Sequence, residues 1–471
     1  MRLHPVILCG GPGARLWPAS TTARPKPFLD LIDGLTPFQR TLQRVAAIEG
    51  AARPLVITGA DHAATAAAQI GASGLAAEIL VEPEGRDSAA AAFAAALWVE
   101  RIAADDLVLL VAADHHIPDL RAFAEGVERA APAAQLQGRI VVFGLQPSRP
   151  ATEFGYILPG GQGASPGVRT VSAFVEKPDA DRAAELIERG ALWNSGNFLF
   201  RADAMIEEAA RFAPQALDAV RSALPPAEGP GRGGGPTRLG AGFSTAPRIS
   251  LDRAVIEKTS RAAVVAVAYD WSDLGSWEAV WAASARDVDG LVCSGPAAAV
   301  DSRDSLLRAD GGARILALGV QNLAIVANGS DVLVSALERS GDLKAALERA
   351  PDPPAPDLAD IAHRLSSWWR EQALPLWWCF GADLVDGGFH DQIGADLRPL
   401  PLAKRLRVQA RQTMVYAQAG SAGWPGPWRI ALDHGLAALH AGFMRADGLL
   451  RPAAAAAHTP EAPALLYDQA F

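Results

Sequence analysis

The chain has 471 residues, half of them apolar, and a formal charge of −9 at pH 7. Its length allows two or three domains rather than one. The acidic balance argues against nucleic acid or an anionic membrane surface as a partner, so any basic site must be a local pocket.

Through roughly the first 285 residues, short apolar runs alternate with helical stretches. Strands are predicted over 5–8, 55–58, 79–81, 107–112 and 140–143, and helices over 36–48, 61–70, 88–102 and 120–131. That alternation predicts α/β architecture with a mainly parallel sheet, whose ligands sit at the carboxyl ends of its strands. The run 225–240 (PPAEGPGRGGGPTRLG) has little to bury and reads as a mobile surface insertion. Glycine-punctuated segments, among them 314–318 and 323–326, predict a small β-rich unit over 286–345. PDPPAP at 351–356 marks a linker, placed at 346–357, and helical patterning follows over 358–471. Cys9, Cys293 and Cys379 form no CxxC pair and suit a reducing cytosol. The apolar run 89–99 is too short for a membrane span, and the first strand follows the N-terminus with no signal-like segment. A cytoplasmic protein without a membrane partner is expected.

The chemistry begins at residues 6–29, VILCGGPGARLWPASTTARPKPFL. Gly10, Gly11 and Gly13 follow a strand directly, where they let the backbone approach a ligand and aim its N–H groups at phosphate oxygens. Arg15 and Lys26 add positive charge. The run is neither a P-loop nor a dinucleotide fingerprint, because no Gly-Lys-Ser/Thr follows and Leu16 stands where the last glycine would be.

The loop Glu82-Pro83-Glu84-Gly85-Arg86-Asp87 precedes a helix, a good place to read a nucleobase edge or hold an anion; an ordinary capped loop fits it equally well. Asp114 ends a very apolar strand, ahead of His115 and His116. A carboxylate there needs a cation, and nucleotide-bound Mg²⁺ is the obvious one. Adjacent histidines diverge on an extended chain, which argues against zinc. Glu176-Lys177-Pro178 sets an acceptor for sugar hydroxyls beside an ammonium for a phosphate. Trp193-Asn194-Ser195-Gly196-Asn197 joins an aromatic wall to polar groups, with Asn194 as the expected contact. The last motif is SLDRAVIEK at 250–258, followed by Trp271-Ser272-Asp273-Leu274-Gly275-Ser276-Trp277. Asp273 offers a second carboxylate to complete a Mg²⁺ site with Asp114.

Taken in order, these motifs resemble bacterial mannose-1-phosphate guanylyltransferases of the sugar-phosphate nucleotidyltransferase family, over roughly residues 3–345. The resemblance implies a Rossmann-like catalytic domain over 1–285 and transfer of GMP from GTP to mannose 1-phosphate, giving GDP-mannose and pyrophosphate. It implies that Gly10, Gly11, Gly13, Arg15 and Lys26 hold the GTP phosphates and that Glu82, Gly85 and Arg86 help to recognise guanine. Asp114 and Asp273 would hold Mg²⁺, Glu176 and Asn194 would contact mannose, and Lys177 the sugar phosphate. Arg15, Lys26, Asp114 and Lys177 would form the catalytic set, and a homodimer is one assembly compatible with it. The sequence departs from the family pattern at Asp87-Ser88-Ala89-Ala90-Ala91, where Asn-Thr-Ala-Pro-Ala is usual, and at Pro27, where glutamine is usual. It also departs at Glu153-Phe154-Gly155-Tyr156, which replaces a more glycine-rich run.

The C-terminal part lacks the histidine spacing of the cupin domain that often ends longer members. Leu374-Pro375-Leu376-Trp377, Asp386-Gly387-Gly388-Phe389-His390, RLRVQARQ at 405–412 and LYDQAF at 466–471 instead resemble the opening of the N-acylglucosamine 2-epimerase/mannose isomerase family. The expectation is a partial, α/α-barrel-like helical region without isomerase activity. By that resemblance Arg411 matches a substrate-pocket arginine, while the catalytic histidines would lie downstream. Two alternatives stand beside the transferase: a non-catalytic regulatory subunit, and a bifunctional enzyme that also isomerises a hexose 6-phosphate.

Overall fold

Strand β1 (Leu3–Cys9) lies between β2 (Leu55–Gly59) and β4 (Leu107–Ala112), with β3 (Glu78–Glu82) beyond β2, and all four run parallel. Helices cover both faces here, which is why these strands are nearly unbroken runs of Val, Ile and Leu. The computed structural model describes residues 2–10, 13–226, 235–350, 357–394 and 396–454.

The full sheet adds β5 (Ile140–Leu145), β6 (Gly155–Gln162), β7 (Val168–Glu176), β8 (Leu192–Arg201), β9 (Thr237–Arg238) and β10 (Ala262–Val267). Its order is β5-β10-β7-β6-β8-β4-β1-β2-β3-β9. The parallel arrangement holds for β4-β1-β2-β3 and for β5-β10; the part between is antiparallel, because β6 and β7 form a hairpin and β8 runs back against β4. Thr237–Arg238 and the buried Leu239 belong to the stretch expected to be mobile. They add to the sheet edge beside β3 because Leu239 has an apolar site to fill, and its N–H donates to Val81. Residues 227–234 of that run lie outside the described residues.

Helices α1 (Pro37–Ala46), α2 (Ala63–Ser73) and α4 (Leu120–Gln137) pack on one face. The other face carries α3 (Asp87–Glu100), α6 (Ala202–Phe212) and α7 (Pro214–Ala223), and α5 (Ala180–Glu188) follows β7. The alanine run of α3 is buried all round, as a helix without a polar face must be.

After α8 (Trp277–Ala283) the chain coils through β11 (Val292–Ser294), β12 (Ala297–Val300), β13 (Leu306–Asp310), β14 (Ile315–Leu318) and β15 (Leu323–Asn328). Strands β11, β13 and β15 stack in parallel, as do β12 and β14; β16 (Asp331–Ala336) closes the edge antiparallel. This coil is not separate from the sheet domain. Leu306, Ala324 and Val326 share a core with Leu16, Ala19 and Leu29 of the N-terminal loop and with Trp277 of α8. Met1–Ala350 accordingly forms one compact unit.

The second unit, Pro351–Phe471, is helical over 358–381, 406–421 and 428–443. Phe389, Tyr416, Trp424 and Leu374 form its core. Gln409 clamps the Phe389 backbone through both ends of its amide, at 2.7 Å each. PDPPAP at 351–356 and LYDQAF at 466–471 lie outside the described residues. No described helix is long and apolar enough to cross a membrane.

Candidate active site

The sheet topology brings the predicted residues to one edge. Strands β1 and β4 are in register to Leu8 and Ala112, so Gly10 and Asp114 emerge side by side. Glu82 ends β3 at the same edge. Because β8 runs antiparallel to β4, its beginning, with Asn194, lies at that edge too. The segment after β10 is tied there by paired backbone bonds between His116 and Ser272, which place Asp273 beside the end of β4.

Lys26 is buried at 6% exposure, and its ammonium lies 2.5 Å from Asp114 Oδ2 while also donating to the Asp273 carbonyl. Burial alone would raise the Asp114 pKa; the charges of Lys26 and His115, with hydrogen bonds from Lys26 and the backbone, together outweigh it and hold the carboxyl below its ordinary range. The Asp273 carboxylate accepts from the Gly275 N–H at 3.1 Å. Gly13 sits against this pair with φ +65°, and a Cβ there would come within 2.6 Å of Lys26 Cβ. Gly10 is exposed and has open space above it; Gly11 lies outside the described residues. Arg15 is half-buried in the short turn Ala14–Leu16 and makes no ion pair with another described residue. His115 packs edge-on against Trp271, 5.3 Å between ring centres, and its buried Nδ1 has no partner among the described residues.

In the 82–87 loop, the Glu82 carboxyl is pushed up to about 7 by burial, and its Oε1 has no hydrogen-bond partner in the described structure. Glu84 is held below its usual range by hydrogen bonds from Ser244 and Arg86, the latter at 2.6 Å. Gly85 is exposed with no atom near a Cβ position, and Asp87 begins α3 at φ +64°.

Glu176, Lys177 and Asn194 come together at the second cluster. Lys177 Nζ lies 3.1 Å from Glu176 Oε1, and Lys177 takes φ +50° as its N–H reaches the Phe154 carbonyl. Gly155 lies opposite Glu176, where a Cβ would approach Glu176 Oε2 to 2.6 Å. The expected aromatic wall is present but mostly internal: Trp193 is 8% exposed and packs on Phe154, which also meets Trp271.

Asp252 was not among the expected site residues. It accepts from Asn194 Nδ2 at 2.9 Å, and burial with the Glu176 charge pushes its carboxyl up to about 7. The signal lay in the 250–258 motif, whose acid had no assigned partner until β8 was placed. Arg44 was missed as well. It is 1% exposed, donates to Thr41 Oγ1 at 2.9 Å and stacks over Phe123 beneath the Asp114 loop.

A buried cation paired with one carboxylate and bonded to the backbone carbonyl of a second acidic residue suits the phosphates and metal of a nucleotide, and the polar cluster of Glu176, Lys177, Asn194 and Asp252 suits a phosphorylated sugar. The nucleotidyl transferase family model matches residues 4–290, and the N-acylglucosamine 2-epimerase model matches 387–471. Alginate biosynthesis protein AlgA of Pseudomonas aeruginosa is 38% identical over 344 residues, 72% of this chain and 70% of that protein. The mannose-1-phosphate guanylyltransferase of Escherichia coli is 39% identical over 352 residues, 74% of this chain and 73% of that one. The crystal structure of a mannose-1-phosphate geranyltransferase from Thermus thermophilus superposes with a TM-score of 0.63 at 31% identity, covering 74% of this chain and 99% of that one. The chain is an enzyme of the nucleotidyl transferase family, in the group that includes the bacterial mannose-1-phosphate guanylyltransferases.

Proposed function

We propose that this enzyme transfers GMP from GTP to mannose 1-phosphate, forming GDP-mannose and releasing pyrophosphate. The observation that carries the reading is the convergence of Lys26, Asp114 and Asp273 beside Gly13, one cluster away from Glu176, Lys177 and Asn194. Gly10, Gly11, Gly13, Arg15 and Lys26 receive the triphosphate. Glu82, with its unpartnered buried oxygen, and Gly85 and Arg86 face the base. Glu176 and Asn194 take hydroxyls of the hexose, and Lys177 its phosphate.

A phosphate oxygen of mannose 1-phosphate forms the new bond to the α-phosphorus of GTP. The bond from that phosphorus to the bridging oxygen breaks, and pyrophosphate leaves with the electron pair. The nucleophile is already an anion, so no general base is required and the work falls on alignment and charge neutralisation. Nucleotidyl transferases of this kind use a divalent metal, and the donors here fit Mg²⁺. Asp114 and Asp273 would contribute one or two oxygens and leave the rest to water and phosphate. When bound, the ion neutralises phosphate charge. Lys26 orients Asp114 for this and stays near the phosphates as a fixed cation.

Pyrophosphate release with GTP and mannose 1-phosphate, dependent on divalent metal and abolished by Asp114→Asn, is the expected result. Absence of turnover with every nucleoside triphosphate and sugar phosphate pair would overturn the reading.

A further inference from the structure

Asp252 opens the short π-turn Asp252–Ile256, and its carboxylate Oδ1 accepts from Asn194 Nδ2 at 2.9 Å. The other end of the same amide, Asn194 Oδ1, accepts from the Gly196 N–H at 3.0 Å. A backbone N–H can only donate, so the end of the amide that faces Gly196 is the oxygen and the end that donates to Asp252 is the nitrogen. One N–H and one lone pair remain on Asn194, both of settled identity. Glu176 is adjacent: a Cβ on Gly155 would lie 2.6 Å from Glu176 Oε2 and 3.4 Å from Asn194 Cβ, so both side chains converge over that glycine.

A fold needing only a bond from β8 to this turn would be served by a neutral acceptor. Placing a second carboxyl near Glu176 in a largely buried position opposes ionisation and costs stability. Such costs concentrate where a ligand is handled.

We propose that Asp252 is a positioning residue of the hexose subsite: by locking the Asn194 amide beside Glu176, it decides which sugar hydroxyl meets a donor and which an acceptor. The inference rests on the assignment of this cluster to the sugar of mannose 1-phosphate. It makes the acid of the 250–258 motif a determinant of sugar recognition, separate from nucleotide binding.

Steady-state kinetics on the full chain test it. Turnover of GTP with mannose 1-phosphate by the unaltered enzyme comes first; its absence defeats the functional reading rather than the role of Asp252. Given turnover, D252A should raise KM for mannose 1-phosphate at least about ten-fold while KM for GTP stays within about two-fold. D252N keeps an acceptor for Asn194 and should recover most of that loss. The double variant N194A/D252A should be no worse than N194A alone, because the effect passes through Asn194. Equal changes in both KM values, an unchanged KM for the sugar phosphate, or additive losses in the double variant would overturn the proposal. If D252A fails to fold, D252S and D252N carry the test through the ratio of kcat/KM for mannose 1-phosphate over glucose 1-phosphate. That ratio should fall in D252S, and an unchanged ratio in both overturns the proposal.

Discussion

The ammonium of Lys26 lies 2.5 Å from Asp114 Oδ2 although the two residues come from different loops, one after β1 and the other after β4. The pair joins the glycine-rich loop after β1 to the end of β4. Lys26→Met should therefore damage both folding and chemistry. Asp114 ionises below its ordinary range in the folded state, so the stabilisation is present above that range and is lost as pH falls through it. Denaturant unfolding of the variant should show a loss of about 3 kcal/mol near neutral pH, shrinking toward acid as Asp114 protonates. Its kcat should fall by about two orders of magnitude or more even where it is folded.

Gly13 and Gly10 make a matched pair of substitutions. Gly13→Ala must place a Cβ 2.6 Å from Lys26 Cβ at φ +65°, so the loop has to shift. A cost of about 1–3 kcal/mol and a large fall in kcat are expected. Gly10→Ala meets nothing within 4 Å. It should leave thermal stability intact, so any rise in KM for GTP reports contact with the nucleotide rather than strain. Melting temperatures and kinetics of the two variants, measured side by side, check this.

The legible parts of the site were those whose chemistry is carried by neighbours in sequence. Gly13 and Asp114 each follow a strand whose apolar run is visible, and a parallel α/β order predicts that those two strand ends share an edge. The β6–β7 hairpin and the reversal of β8 were not visible, because they are long-range pairings that a local pattern does not specify. Asp252 stayed hidden for the same reason, its meaning arising only from Asn194 on β8. The coil after residue 290 was legible as β-rich. Its contact with Leu16 and Ala19 was not, since nothing local in Leu306 or Val326 marks the surface they fill.

Glu82 supplies a pH prediction. Burial raises its carboxyl from an ordinary 4.5 to about 7, so the folded state holds a proton that the unfolded state releases. Stability contributed by this group therefore declines as pH rises from about 4 to 7. Glu82→Gln removes that dependence and should be more stable than the unaltered enzyme at pH 8, with the difference fading toward pH 5. If the carboxyl reads the base, the same variant should lose discrimination among GTP, ATP and UTP. Thermal melts across pH and a nucleotide panel separate the two effects, and a variant less stable at pH 8 would contradict the burial argument.

The parallel coil and the preceding α8 are tied to the loop between Gly13 and Lys26 by side chains that cap its backbone. Asn328 Nδ2 donates to the Pro18 carbonyl at 2.9 Å, and Trp277 Nε1 donates to the Trp17 carbonyl at 3.1 Å. Both carbonyls belong to the segment that sets Lys26 against Asp114, so the expected effect of these bonds on catalysis runs through that segment. Asn328→Ala removes one donor and leaves a carbonyl without its partner, at a cost of about 1–2 kcal/mol. Loosening that segment should raise KM for GTP and lower kcat together, while KM for mannose 1-phosphate changes little. Asn328→Asp, which replaces the donor with an acceptor facing the same carbonyl, should be worse than alanine in both respects. Kinetics in which neither variant alters GTP turnover would confine the coil to a purely structural role.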